Sequence, residues 1–408
     1  MPDIWDFVIV GGGASGMAAA IVSAQMGDRV LLLEKSPMLG RKIAASGNGR
    51  CNLMNVGTPV YYGDPAFASS VFEHYTKEEL IQFWNSAGLI VKEEDAGRCY
   101  PRTLHSSSVL DSLKAMLRVF QVSTLLQTSV SGIRKHGDLF SIDTSAGTFQ
   151  GKRVLIASGG MAYPRLGGTD SGYRLLAGFG HRIIPPFPAL TPICTDTKSI
   201  SGLSGIRIRC SIALSDEAEN KLFSTRGEVL FTDYGISGIC AMQCARFIKE
   251  GGCTVHLDLA DDLFEDADDL FRFLLSRKKQ FADLPPEHLL NGIFLPKLSF
   301  AVLMQAKVPV RDRKTGSLTD DEILRISHKL RDYALHVTGI RGFDDAQSTA
   351  GGADCSDFVP STMASRIVNG LHAAGEVLNV DGDCGGFNLM FAFATGILAG
   401  LNGRKTSL

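Results

Sequence analysis

Glycines at positions 11, 13 and 16 stand between an apolar run, Asp6-Phe-Val-Ile-Val10, and a stretch of small residues, Met17-Ala-Ala-Ala-Ile-Val-Ser-Ala-Gln-Met26. Each glycine answers a separate steric demand. Gly11 permits a tight turn, Gly13 lets the backbone come close to a phosphate, and Gly16 lets helix pack closely on strand. Ala14 and Ser15 complete the turn, and the helix behind them directs free N–H groups and the positive end of its dipole outward. Glu34 then ends a second apolar strand, Val30-Leu-Leu-Leu33, with Lys35 beside it. A carboxylate there can accept hydrogen bonds from ribose hydroxyls. These residues together predict that the N-terminus binds an adenine dinucleotide.

Other chemistry-bearing residues cluster in glycine loops. Arg41 and Lys42 lead into Ser46-Gly-Asn-Gly-Arg-Cys-Asn52, whose density of donors suits a polar, flat ligand. A buried strand ends in Ala157-Ser-Gly-Gly160, similar to the element that returns many Rossmann chains to their dinucleotide. Near the other end, Gly385-Gly386 precedes Phe387-Asn388 and a small-residue helix. A helix N-terminus can steady the electron-rich ring of a reduced flavin through its dipole, and glycines let amides approach that ring. The expected cofactor is therefore FAD. No second G-x-G-x-x-G follows a strand, so a nicotinamide would dock only transiently. For a proton donor, Cys51 (its thiol tuned by Arg50 and loop amides) and Tyr234 (flanked by Asp233) are the candidates. Metal chemistry lacks a ligand cluster. His256-x-Asp258 reads as structural, and no nucleophile elbow supports a Ser-His-Asp triad. Cys240 and Cys244 sit in an apparent helix and read as core packing rather than a dithiol relay.

The elements that must position these residues follow from periodicity. Helices are expected over Glu79–Trp84, stopping at Gly88, and over Ser107–Val119, where Val109, Leu110, Leu113, Met116 and Leu117 share a face. Strands are expected over Thr124–Ile133 and Leu139–Asp143. Composition shifts at Pro185-Pro-Phe-Pro188. Residues 190–259 read as short strands, and Asp261–Val337 as helical. The fold class is thus α/β: a Rossmann-like FAD-binding domain, discontinuous over 1–190 and 345–408. Into it are inserted a β-barrel-like domain (191–260 and 335–344) and a helical subdomain (261–334).

Composition bounds the function. The 408 residues carry a net charge of −2, so no global field draws in nucleic acid or an anionic membrane. The basic stretch Arg134–Arg182 reads as a solvated surface. No run is long and apolar enough to span a bilayer, the first strand leaves no room for a signal peptide, and nine unpatterned cysteines fit a reducing compartment. A cytoplasmic protein is expected.

Gly40–Asn52, Thr232–Gly238, Ala350-Gly-Gly352 and Gly375–Asn388 together resemble a family of bacterial Rossmann flavoproteins. That family is variously called BaiN/RdsA-like, aminoacetone-oxidase-like or NAD(P)/FAD-dependent oxidoreductase. The resemblance implies non-covalent FAD, an inserted β-barrel and a helical domain. Expected FAD contacts then extend to Val130, Gly375, Glu376 and Asp381 besides those above. The leading expectation is a reductase passing hydride from NAD(P)H through FAD to an activated C=C bond of a small molecule. A ribosomal RNA dihydrouridine synthase and an O2-using amine oxidase are the alternatives.

Overall fold

The apolar runs from both ends of the chain become the centre of one sheet. In the computed structural model, which describes residues 4–248 and 252–404, β1 (Ile4–Val10) pairs in parallel with β2 (Val30–Leu33) on one side. On its other side lies the long strand Gly147–Ile156, also parallel. Ser123–Leu125 extends the sheet beyond β2, and Leu371–Ala373 adds in parallel to the second half of Gly147–Ile156. The first half of that strand carries the antiparallel hairpin of Val130–His136 and Leu139–Thr144. All of β2 and Phe7–Ile9 are buried, as a parallel sheet covered by helices requires.

α1 (Ala14–Gln25) and the C-terminal helix Phe387–Leu401 lie together along small residues. A Cβ on Gly396 would sit 2.3 Å from the Ser15 carbonyl oxygen, and one on Gly400 would sit 2.7 Å from that of Ala19. Residue 396 is thus level with 15 and 400 with 19, so the helices run parallel. The expected helix Ser107–Val119 occurs as Ser106–Val119, its apolar face buried.

One expectation is corrected. Thr124–Ile133 is not a single strand: Ser123–Leu125 lies at one edge of the sheet and Val130–His136 at the other. Gln127 adopts a left-handed φ of 53°, and the N–H groups of Gln127 and Thr128 donate to the carbonyls of Ser36 and Glu34. The chain crosses over the end of β2 there.

Chain contacts separate two compact units, Met1–Pro188 with Gln347–Leu408, and Ala189–Ala346. The second holds a closed six-stranded antiparallel barrel in the order Ile193–Thr195, Gly235–Ser237, Lys221–Phe231, Arg207–Ser215, Thr254–Asp258, Tyr333–Ile340. Its core also takes Cys240 and Cys244, both buried on the helix Ile239–Ala245. Helices Ala267–Gln280, Pro296–Gln305 and Asp320–Arg331 follow. The helical reading of Asp261–Val337 therefore stops at Arg331. Tyr333, Leu335 and Val337 alternate inward, the period of a strand, and close the barrel. His256 bonds Ser215 and Asp332, and Asp258 receives Arg331, so both are structural. Among the described residues no group of His, Cys, Asp or Glu is arranged to hold a metal, and no helix is long and apolar enough to cross a membrane.

His372 lies within the first unit's sheet, edge-on to Phe7 at 5.6 Å, with Nε2 3.2 Å from Asn402 Oδ1. Burial, aided by the nearby Arg153 charge, pushes its pKa down to about 4 from 6.5. The unfolded chain binds the proton more readily, so stability is complete above about pH 6.5 and is lost as pH falls toward 4. Lowering the pH from 7 to 5 should cost about 2 kcal/mol through this group. Thermal melts of wild type and His372→Gln across that range check this; an equal slope in both would refute it.

Candidate cofactor site

The glycine turn is built as its spacing demands. Gly11 has φ 113°, donates its N–H to Leu33, and a Cβ there would sit 2.4 Å from the Ala157 carbonyl oxygen. A Cβ on Gly16 would strike the Gly11 carbonyl at 1.8 Å. Gly13 differs: a Cβ there would meet no atom within 4 Å, so the backbone is open to a ligand on that side. Ala14, Ser15 and Gly16, the first turn of α1, are buried, and no side chain caps that end. By contrast the neighbouring helices Pro65–His74 and Lys77–Ser86 are capped by Asp64 and Thr76. Buried, uncapped amides at a helix start require an acceptor, and a pyrophosphate is the acceptor this turn fits.

The C-terminal helix repeats the arrangement. It begins at Phe387 behind Gly385 and Gly386, both at positive φ, again without a side-chain cap. Residue 395 is level with Ala14, so this helix starts eight residues further forward, or roughly 12 Å at 1.5 Å per residue. Two positive helix ends thus face one direction, one set ahead of the other along their shared axis.

Around these ends the predicted residues take varied roles. Glu34 accepts the Gly12 N–H on Oε2 (2.8 Å) and the Ser36 N–H on Oε1 (2.7 Å), which fixes the carboxylate and leaves each oxygen a lone pair for ribose. Lys35 is exposed, and partial desolvation pulls its ammonium pKa down. Val130 begins its strand just beyond the crossover that binds Glu34. A Cβ on Gly375 would lie 2.7 Å from Ser15 Oγ, and Ser158 and Ala157 line the Gly11 turn, so these three segments meet at α1's start. Lys42 pairs with Glu376 at 2.6 Å. Asp381 is buried in the strand Val380–Gly382, opposite Tyr62. Asn388 closes the loop before its helix, exchanging two hydrogen bonds with Gly382, while Tyr61 donates to the Phe387 carbonyl. Asn52 Oδ1 is buried without a hydrogen-bond partner among the described residues, and a Cβ on Gly386 would lie 2.7 Å from it.

The loop Ser46–Asn52 is coiled by residues at positive φ: Gly47, Asn48, Gly49 and Cys51. Ser46 donates its hydroxyl to Ile43. Two cations expected to face a ligand are engaged by the protein instead: Arg50 pairs with Glu94 at 2.5 Å and lies over Tyr100, and Arg41 donates to the Arg165 carbonyl at 2.6 Å. Cys51 requires a correction. Its side chain is fully enclosed, and burial pushes the thiol up to about 11; Arg50 does not tune it. An enclosed thiol cannot reach a substrate carbon. Tyr234 belongs to the second unit, half-buried with its ring 4.9 Å under the Arg341 guanidinium. Sequence reasoning missed Thr349, whose hydroxyl accepts the amides of Met161 and Ala162; its place just before Ala350-Gly-Gly352 was the available signal.

Most cations of the basic stretch are matched within the first unit: Arg134, Lys152, Arg153, Arg174 and Arg182 each pair with an aspartate, and Lys135 donates to the Asn369 carbonyl.

Sheet, glycine turn and acidic β2 end define a Rossmann-type dinucleotide-binding protein. The chain belongs to the HI0933-like Rossmann family, whose model matches residues 5–402. It is similar to a 3-dehydro-bile acid delta(4,6)-reductase of Clostridium scindens, 33% identical over 96% of this chain and 97% of that one. A ribosomal RNA dihydrouridine synthase of Escherichia coli is 29% identical over 96% of both chains. Among solved structures, the fold is shared with a 3-ketosteroid-delta4-(5alpha)-dehydrogenase from Rhodococcus jostii RHA1, at TM-score 0.50 and 14% identity, covering 100% of this chain and 98% of that one.

Two outcomes test this geometry. Gly396→Ala should wedge the two helices apart, lowering the melting temperature and weakening FAD uptake at least tenfold; unchanged titrations would disprove the close contact. Alkylation of the native protein at pH 8, followed by peptide mapping, should leave Cys51 unmodified, and its rapid labelling would show an open thiol.

Proposed function

We propose that the protein is an FAD-dependent oxidoreductase, and within that class a reductase of an activated C=C bond in a small molecule, with NAD(P)H as transient reductant. The observation that carries this reading is the pair of uncapped helix ends facing one way, staggered by roughly 12 Å along their axes, with glycines at both approaches. FAD, when bound, supplies hydride chemistry at its ring. The first-turn amides of α1 hold the pyrophosphate, and Glu34 holds the adenosine ribose. Glu376 and Asp381 would help hold the group, and the amides behind Gly386 would steady negative charge on its ring.

The bile-acid reductase at 33% identity supports a small-molecule acceptor. The ribosomal RNA relative supports the same chemistry on a nucleobase. The pairing of the basic stretch with the chain's own aspartates disfavours that stretch as a phosphate-binding face.

Purified protein should take up FAD and turn yellow, and NADPH or NADH should bleach it anaerobically. Air should restore the colour slowly, and a conjugated enone quickly. Fast reoxidation by air, with no response to either nucleotide, would favour the amine oxidase instead. Dihydrouridine lost from ribosomal RNA in a deletion strain would favour the RNA substrate.

A further inference from the structure

Four segments remote in sequence meet at one carboxylate of the first unit. Glu376 Oε2 accepts from Lys42 Nζ at 2.6 Å, and Oε1 accepts the Thr349 N–H at 2.8 Å. Thr349 Oγ1 in turn accepts the Met161 and Ala162 amides, both at 2.9 Å. The turn they belong to is pressed against this group. A Cβ on Gly160 would lie 2.5 Å from Thr349 Oγ1 and 3.0 Å from the Tyr173 hydroxyl, and one on Gly159 would lie 3.8 Å from Glu376 Oε2. The Tyr173 hydroxyl is buried and has no hydrogen-bond partner among the described residues, so no competing donor serves Glu376 from that side.

The anchor of the chain of bonds is a cation. Lys42 rises from α2 (Arg41–Ala45) with its side chain 30% exposed, against 19% for Glu376. The pair is sheltered enough to hold one geometry yet open enough that its charges are hydrated in part. Without Lys42, a half-buried carboxylate would stand uncompensated among the glycine turns of the cradle. Its negative charge would then oppose the electron-rich reduced ring, and Thr349 would lose the fixed partner that orders residues 159–162.

We infer that Lys42 is a positioning residue for the cofactor, acting through Glu376: it neutralises the carboxylate and holds the Thr349 strap closed. This rests on the FAD reading above. Lys42→Met should leave the apoprotein's melting temperature within a few degrees of wild type, because Lys42 lies outside the core. Fluorescence titration should show FAD binding weakened at least tenfold, and dye-equilibrated reduction should show a more negative midpoint potential for the flavin that does bind. Lys42→Arg should restore both. The double variant Lys42→Met/Glu376→Gln should recover the potential, since no charge is left unpaired, while affinity stays weak because the strap is loose. Wild-type affinity and potential in Lys42→Met would overturn the inference, as would loss that neither Arg nor the double variant repairs. If the wild-type protein itself takes up no FAD, the cofactor reading fails first and the inference falls with it.

Discussion

Two parallel helix starts without side-chain caps impose the architecture of the first unit. Each presents orphan N–H groups and the positive end of a dipole. For both to point the same way, the helices must run parallel and in contact, and contact this close tolerates only glycine at 396 and 400 against the backbone of Ser15 and Ala19. One helix follows β1 and the other ends the described chain, so the unit must be discontinuous. Everything between Ala189 and Ala346 is free to form its own core around a barrel.

The side-chain charges near the site are managed so that backbone dipoles dominate it. Arg41 is held by a carbonyl, Arg50 by Glu94 and Lys42 by Glu376. Glu34 is fixed by two amides rather than by a cation. An array of oriented amides is rigid and needs no rearrangement when a ligand's charge changes, which suits a ligand that cycles between redox states.

The sequence was most legible where one local rule decides the structure. The β1–turn–α1–β2 device lies within about thirty residues, and each glycine in it has a single steric purpose. Barrel strands such as Arg207–Ser215 announce themselves by alternation, and Ser106–Val119 by helical spacing. What escaped depends on partners distant in sequence. The crossover at Gln127 exists because Glu34 and Ser36 offer carbonyls there, which no propensity encodes. Cys51 reads as reactive in a glycine loop, yet the coil of Gly47 to Gly49 turns it inward. Thr349 has no motif of its own; its importance arises only once residues 161, 162 and 376 surround it.

The return of the C-terminal helix to α1 also fixes an order of events during synthesis. A nascent chain that has emerged only through the barrel already has its glycine turn, yet lacks the partner helix and the Gly385–Gly386 approach. The two helix starts therefore coexist only once residues through Leu401 have emerged, and a product cut short before Phe387 carries a Rossmann signature while having only half of the grip.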